Sequence, residues 1–221
     1  MKIQERAVLH NRFDVKVVDA ENGIIKQTAV GFNVITNYYF NSRLTGSPLS
    51  KTSDLFRYIA IGTGTGTPAV TDTALFSHLT RKAVTTLETV YEYPTSHITK
   101  QIKLEATECN GSTITEVALE GYYSGTFSSY YYIMSHAMLQ DSEGNRIAIA
   151  KTDTDVVYIT ATFYATCTPS GFGTNGIYPT AENNYLFRWL LTGSTDGTVR
   201  FSRYPLEYSS DMNTKYHGSK S

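Results

Sequence analysis

Charged residues are scarce in this sequence. Only 18% of its 221 residues are Asp, Glu, Lys or Arg, and the formal net charge is -1. Domains that bind nucleic acid carry a basic stripe or patch, and anionic membrane surfaces attract clusters of Lys and Arg. Because the sequence has neither pattern, it predicts partners other than nucleic acid or a membrane.

Long apolar runs are missing too. No stretch approaches the ~18 apolar residues of a membrane-spanning helix, and the first residues, MKIQERAVLHNRF, lack the apolar core of a signal peptide. The two cysteines, Cys109 and Cys167, form no CxxC pair and lie in segments that we predict to be strands. We therefore expect two separate buried thiols in a protein that is made in a cytoplasm.

Motifs for catalysis and cofactor binding are also absent. The stretch GTGTGTP, residues 62–68, lacks both the glycine spacing of a dinucleotide fingerprint and the Gly-Lys-Ser/Thr of a P-loop. The histidines are scattered without metal-ligand spacing, and Asp153 with Asp155 supplies too few oxygens for Ca²⁺. We find no GxSxG nucleophile motif. The sequence thus predicts no enzyme activity, no cofactor and no metal site.

What the sequence does contain is aromatic and β-branched residues, with 17 Tyr and 10 Phe against one Trp. These residue types fit half-buried pleated surfaces. Alternating apolar and polar residues predict strands at 7–18, 24–32, 58–61, 83–92, 98–106, 113–119, 133–139, 146–150 and 155–167. The predicted fold is therefore mainly β, an antiparallel β-sandwich with one or two short helices and an extended C-terminal arm.

Two segments predict the short helices. Residues 33–44 have a loosely helical period, and Asn33 is placed to cap that helix. After the Gly/Thr loop, a second helix is predicted to end near residue 82, capped by Thr71 or Asp72. Its apolar face would be formed by Leu75, Phe76 and Leu79. The stretch 58–82 is then a strand, a loop and a helix.

The change in composition after residue 167 predicts two parts. Residues 1–167 form the β-sandwich core domain, and residues 168–221 form a loop-rich arm that contains Phe187, Trp189 and Leu190. An extended arm with apolar residues is suited to completing the sheet edge of a neighbouring subunit. This division predicts that the core domain folds without the arm.

A tyrosine-rich segment, residues 121–132, is predicted to be a loop. It holds Tyr122, Tyr123, Tyr130, Tyr131 and Tyr132 beside Gly and Ser, a composition found in adaptable binding loops. The tyrosine rings could pack on the sheet, contact a neighbouring subunit or bind a sugar. Together with the apolar residues of the arm, they are our candidate subunit contacts.

The order of five segments resembles a bacteriophage structural domain found in tail-fibre, tail-collar and other small virion proteins. The segments are NVITN at 33–37, YIAIGTGTGTPAVTDTALFSHLTRK at 58–82, ITEVAL at 114–119, DSEGNRIAIAKT at 141–152, and the alternating strand at 155–165. The resemblance covers most of the first 167 residues. The segment at 58–82 is the most specific of the five.

This resemblance implies a structural role without an active site, in a virion assembled from proteins made in the host bacterial cytoplasm. The expected partners are copies of the chain and other virion proteins. Fibre proteins of this type usually continue into long repeats, whereas this chain ends after its arm. We therefore expect a multimeric tail, neck or baseplate connector or a fibre-attachment protein. The alternatives are a capsid decoration protein and a module that binds a host-surface glycan.

Overall fold

The structure, a computed structural model, describes residues 4–44, 55–92, 94–124, 129–170, 190–191, 206–208 and 215–219. Within these ranges the chain forms the helix α1 (Asn37–Leu44) and fourteen strands. The strands are β1 (Gln4–Asp19), β2 (Ile25–Phe32), β3 (Val34–Ile35), β4 (Tyr58–Gly62), β5 (His78–Ala83), β6 (Thr85–Val90), β7 (Thr95–Leu104), β8 (Thr113–Ile114), β9 (Glu116–Ser124), β10 (Ser129–Met138), β11 (Ile149–Ala150), β12 (Asp155–Ser170), β13 (Leu206–Tyr208) and β14 (Lys215–Ser219). The prediction of a mainly β fold is confirmed.

Two antiparallel sheets enclose one apolar core, as in a β-sandwich. The seven-stranded sheet has the order β13-β14-β1-β12-β7-β6 with β2 beside β1, and the five-stranded sheet has the order β3-β10-β9-β4-β5. Strands β8 and β11 pair separately. The core joins Phe13 and Phe163 of the first sheet to Ile59, Ile61 and Val117 of the second. Every second residue of a strand faces inward, which is why the alternation of the sequence located long strands such as β1 and β12.

The strands predicted at 7–18 and 24–32 pair with each other as an N-terminal hairpin. Gly23 has a φ of 73° in the turn between β1 and β2, a conformation that glycine adopts without steric cost. Beyond this hairpin, β1 pairs along its whole length with β12, from Gln4 opposite Ser170 to Asp19 opposite Asp155. The first and the last long strands of the described chain are therefore neighbours.

The prediction of a helix that ends near residue 82 is wrong. Residues 63–77 form a loop without regular structure, and His78–Ala83 is strand β5, antiparallel to β4. Backbone hydrogen bonds along β4 replace those of a short helix, which is marginal without tertiary contacts. Of the proposed apolar face, Leu75 is buried but Phe76 is 43% exposed. The stretch 58–82 is thus a long β-hairpin.

Two local predictions also need correction. Helix α1 begins at Asn37, and Asn33 does not cap it, because the Asn33 side chain instead accepts a hydrogen bond from the backbone N–H of Asn11 (3.2 Å). Cys109 lies in the turn after β7 with a φ of 56°, not in a strand, and its thiol is free. Burial raises the pKa of the Cys109 thiol, which disfavours the reactive thiolate. Cys167 lies in β12 as predicted.

Part of the predicted arm belongs to the sandwich. The boundary proposed at residue 167 falls inside β12. Leu190 and Leu191 are 4% and 0% exposed within the main core, and the Tyr39 hydroxyl donates a hydrogen bond to the carbonyl oxygen of Leu190 (2.7 Å). These contacts tie a stretch that follows β12 to helix α1. In the part of the chain described here, no helix has the length and apolarity to cross a lipid bilayer.

The turn before β12 is closed by the buried carboxylate of Asp155. It accepts hydrogen bonds from the hydroxyl (2.5 Å) and the backbone N–H (2.8 Å) of Thr152, and it pairs with Lys26 (2.9 Å). Burial alone would raise the pKa of Asp155, but these hydrogen bonds outweigh burial and lower it from 3.8 to about 2. A carboxyl group with a lowered pKa stabilises the fold when it is ionised.

We expect Asp155→Ala to lower the free energy of unfolding by about 1–3 kcal/mol at neutral pH, as for hydrogen bonds to a charged group. In the wild type, the contribution of Asp155 to the free energy of unfolding should be fully present above pH 3.8 and lost as the pH falls through about 2. Urea unfolding between pH 2 and pH 7 would measure both effects. The neighbouring exposed Asp153→Ala variant is the matched control, and equal losses in the two variants would contradict the assignment.

Candidate functional site

The outer face of the five-stranded sheet, which points away from the core, carries acidic, histidine and tyrosine side chains. Along β9, the side chains of Glu116, Ala118, Glu120 and Tyr122 follow one another on this face because a strand alternates sides. The chain between β4 and β5, residues 63–77, crosses one half of the face, and we call it the covering loop. Its Leu75 packs with the outward-facing Ala60, Ala118 and Ile133. The other half of the face is not covered by this loop.

The covering loop surrounds the carboxylate of Glu116, which is 0% exposed. One oxygen, Oε1, accepts hydrogen bonds from the backbone N–H groups of Gly64 (2.9 Å) and Ser77 (2.8 Å). The other oxygen, Oε2, accepts from the N–H of Phe76 (3.0 Å) and lies 2.9 Å from His136 Nε2. Converging backbone amides form an anion-binding concavity. The covering loop therefore holds an anion, and that anion is a side chain of the same protein.

The alternating glycines are explained by this close approach. A Cβ at Gly62 would lie 2.3 Å from Oε1 of Glu116, and one at Gly64 would lie 2.3 Å from the Cβ of Phe76. Neither position has room for a side chain, since real Cβ atoms do not approach other heavy atoms so closely. The intervening Thr65 and Thr67 are instead held by Arg146, through a carbonyl and a hydroxyl oxygen, both at 3.0 Å.

His136 connects the sheet to the covering loop a second time. Its Nδ1 lies 2.7 Å from Oδ2 of Asp72, and the same oxygen accepts a hydrogen bond from the N–H of Ala69 (2.9 Å). The imidazole is completely buried beneath the ring of Phe76, with ring centroids 4.8 Å apart. An imidazole that is protonated on both nitrogens can donate to both carboxylates. We call Asp72, His136 and Glu116 the buried clamp.

The buried clamp has the residue types of a catalytic triad but not its arrangement. In a triad, one imidazole nitrogen takes the proton of a nucleophile while the other is oriented by a carboxylate. Here each nitrogen of His136 faces a carboxylate, so neither nitrogen is available to a hydroxyl or a thiol. The geometry fits the anchoring of a loop.

Hydrogen bonding decides the ionisation of Glu116. Burial on its own would raise the pKa of this carboxyl group, but the bonds from His136 and from the amides of Ser77, Phe76 and Gly64 outweigh it. The net effect is a lowered pKa. Glu116 therefore stays ionised in the interior, and its charge holds the covering loop in place.

The uncovered half of the face carries three tyrosine rings and two guanidinium groups. Tyr58, Tyr122 and Tyr131 have ring centroids 5.1–6.0 Å apart. The guanidinium of Arg57 lies over the ring of Tyr122 (4.9 Å), and that of Arg81 lies over Tyr131 (3.9 Å). We call these five residues the tyrosine–arginine cluster. Arg81 also pairs with the buried Glu120 (2.7 Å).

The prediction that the tyrosine-rich segment 121–132 is a loop is wrong, because Tyr122 and Tyr123 lie in β9 and the other three tyrosines lie in β10. The two strands form a hairpin whose tip, residues 125–128, lies outside the described residues. The pleat then divides the five tyrosines. Tyr122 and Tyr131, which are paired in the register, point outward into the cluster. Tyr123, Tyr130 and Tyr132 point to the opposite face of the hairpin, where Tyr132 contacts Tyr38 (5.2 Å).

The three candidate contacts from the arm have different outcomes. Phe187 and Trp189 lie outside the described residues. Leu190 is buried in the core of its own chain, so its prediction as a surface contact is corrected. Arg57, Tyr58 and Arg81 were not among the predicted contacts. A correct strand at 78–83 would have placed Arg81 opposite Ala60 on the outer face, as the register does.

Comparisons with protein-family models, with curated proteins and with solved structures found no match to this chain. Among the residues that the structure describes, no group of three His, Cys, Asp or Glu side chains is placed to hold a metal ion. The candidate site is therefore defined by its own geometry, as an aromatic and cationic surface beside a loop that is anchored by the buried clamp.

Proposed function

We propose that this chain is a structural component of a bacteriophage particle, a multimeric connector of the tail, neck or baseplate or a fibre-attachment protein. In this proposal it contacts copies of itself and other virion proteins through the tyrosine–arginine cluster. The five segments that resemble phage structural domains support the particle assignment. The β-sandwich is compatible with it, but a fold alone does not define a function.

The observation that carries the proposal is the composition of the uncovered half of the sheet face. Tyrosine and arginine dominate the residues that contribute most to protein–protein binding. Tyrosine also offers a large contact area with few rotatable bonds. Tyr131 is 40% exposed, and the neighbouring rings and Arg81 hold it in place. Such a surface needs little ordering when a partner binds.

The orientation of the rings favours a protein partner over a glycan. The ring of Tyr58 is inclined by 73° to that of Tyr122 and by 71° to that of Tyr131. A sugar ring stacks on the flat face of an aromatic ring, and inclined rings form no shared flat platform. They match the uneven surface of a folded protein more closely. Capsid decoration is a variant of the same proposal, because it also requires contacts between virion proteins.

We expect Tyr131→Ala to weaken association of the chain about 30-fold or more, the loss typical of a central interface residue. The matched control is Tyr130→Ala, because Tyr130 is 49% exposed on the same strand but faces the other way. Sedimentation velocity would measure self-association, and mass spectrometry of purified particles would give the copy number of each variant. Wild-type association and incorporation of Tyr131→Ala would contradict the proposed contact, and absence of the wild-type chain from particles would contradict the function.

A further inference from the structure

Of the two arginines in the tyrosine–arginine cluster, Arg57 has no carboxylate partner among the described residues. Arg81 in the same cluster pairs with Glu120, and Arg12 on the other sheet pairs with Asp14. Within the described ranges, the Arg57 guanidinium contacts the rings of Tyr58 and Tyr122 but takes part in no hydrogen bond or ion pair. The cluster therefore carries one uncompensated positive charge at its surface.

The position of Arg57 is fixed before any partner binds. Its backbone N–H donates to the carbonyl oxygen of Glu120 (2.9 Å), and its own carbonyl oxygen accepts from the N–H of Val84 (3.0 Å). Its guanidinium lies 4.9 Å and 5.8 Å from the centroids of two tyrosine rings. Ordering a flexible side chain costs binding energy, and the two ring contacts of Arg57 reduce that cost.

The guanidinium of Arg57 is planar, and a contact with the rings of Tyr58 and Tyr122 does not occupy its N–H groups. That fork matches the two oxygens of a carboxylate and forms two parallel hydrogen bonds with it, which a lysine ammonium cannot do. The hydroxyl groups of Tyr58 and Tyr131 have no hydrogen-bond partner among the described residues and lie on the same surface. They can donate further hydrogen bonds to the same acidic group.

We propose that the tyrosine–arginine cluster receives an acidic segment of a neighbouring protein subunit, with one Asp or Glu carboxylate bound by the Arg57 fork. This inference rests on the proposed function, since it names the chemistry of the partner at the contact surface. The charge of Arg57 favours an anionic partner, and the inclined tyrosine rings favour an irregular peptide over an acidic sugar. Arg57 is thus a specificity-determining residue of the contact.

The test titrates the full-length chain with an acetylated tetraglutamate peptide, observed by NMR at the arginine side-chain N–H groups. We expect wild-type protein to bind the peptide and the signal of Arg57 to shift. The dissociation constant should rise about tenfold or more in Arg57→Ala and by a smaller factor in Arg57→Lys, which keeps the charge but loses the fork. Arg12→Ala removes an exposed arginine that is already paired, and it should bind like wild type. Salt should weaken binding of the wild type.

Three outcomes would overturn the inference. One is equal binding by wild type and Arg57→Ala. The second is equal binding of a tetraglutamine peptide, which would show that charge is not recognised. The third is binding of sialyllactose, an acidic sugar, without binding of the peptide. Because the titration uses the isolated chain, a negative result leaves the effect of Tyr131→Ala on assembly intact. Peptide binding by a chain that is absent from particles would contradict only the proposed function.

Discussion

Replacing Glu116 with alanine is expected to lower the free energy of unfolding by about 3–5 kcal/mol, because several buried hydrogen-bond donors lose their acceptor and each costs about 1–3 kcal/mol when unsatisfied. The variant leaves His136 without its partner at Nε2 and removes the acceptor for three backbone N–H groups of the covering loop. Urea unfolding would measure the loss. Hydrogen exchange should show faster exchange at the amides of Gly64, Phe76 and Ser77.

Two further variants separate charge from volume and position. Glu116→Gln keeps the size of the side chain but points an NH₂ group at backbone donors, so it should also be strongly destabilised. Glu105→Ala removes a carboxylate that is 52% exposed and paired with Lys103 on the surface, and its effect should stay within about 1 kcal/mol. A Glu116→Ala loss as small as that of Glu105→Ala would contradict the role of the buried clamp.

The ionisation of Glu116 also predicts how the free energy of unfolding depends on pH. Because the folded-state pKa of Glu116 is lowered from 4.5, its ionisation stabilises the fold above pH 4.5. That contribution is lost as the pH falls through the lower folded-state value. The wild-type urea midpoint should therefore fall below pH 4.5 more steeply than that of Glu116→Gln. Parallel curves for the two proteins would show that Glu116 does not titrate with folding.

The second large effect is expected for the pair Leu190 and Leu191. Truncating a buried leucine to alanine costs about 2–5 kcal/mol, and both side chains lie in the main core. The double alanine variant should thus lose much of a typical domain stability of roughly 5–15 kcal/mol. Thermal unfolding followed by circular dichroism would measure the shift. Leu87→Ala, at a leucine that is 53% exposed, should unfold close to wild type.

This expectation reverses the prediction that residues 1–167 fold alone. A chain that ends at Ser170 would keep all of β12 but lose Leu190, Leu191, the hydrogen bond to Tyr39 and the edge strands β13 and β14. We expect that truncated chain to unfold at a much lower temperature than the full-length protein or to aggregate. A truncated chain that unfolds at the wild-type temperature would show that the two leucines add nothing to the core.

Strands were predictable from the sequence where one face is buried and the other face is at least partly exposed to solvent. In β12, Ile159 and Phe163 are buried whereas Tyr158 and Tyr164 are only partly buried, and that contrast produces the period of two. The Asn-Gly dipeptide at 22–23 marked its turn for an equally local reason, the positive φ of Gly23. These features depend on residues that are close in the sequence.

The candidate site was much less predictable, because its parts come from distant segments. Leu75 and Leu79 have helical spacing, yet one packs on the outer sheet face and the other lies in a strand. Nothing local in the sequence indicates that Glu116 accepts a hydrogen bond from Gly64, some 50 residues earlier in the chain. Arg57 and Tyr122 likewise meet only through the register of β4 and β9. Long-range pairing overrode local preference at each of these positions.

The pairing of β1 with β12 also constrains how the protein is made. Strand β1 ends at Asp19, and its partner begins at Asp155. At the usual 5–20 residues per second, a ribosome adds the intervening stretch in roughly 7–27 s. During that time β1 and its hairpin have no central strand to join, so the seven-stranded sheet is completed only near the end of translation. Because long-range pairing also slows folding, a newly made chain leaves the β12 edge of β1 unpaired during this time, and an unpaired strand edge favours aggregation.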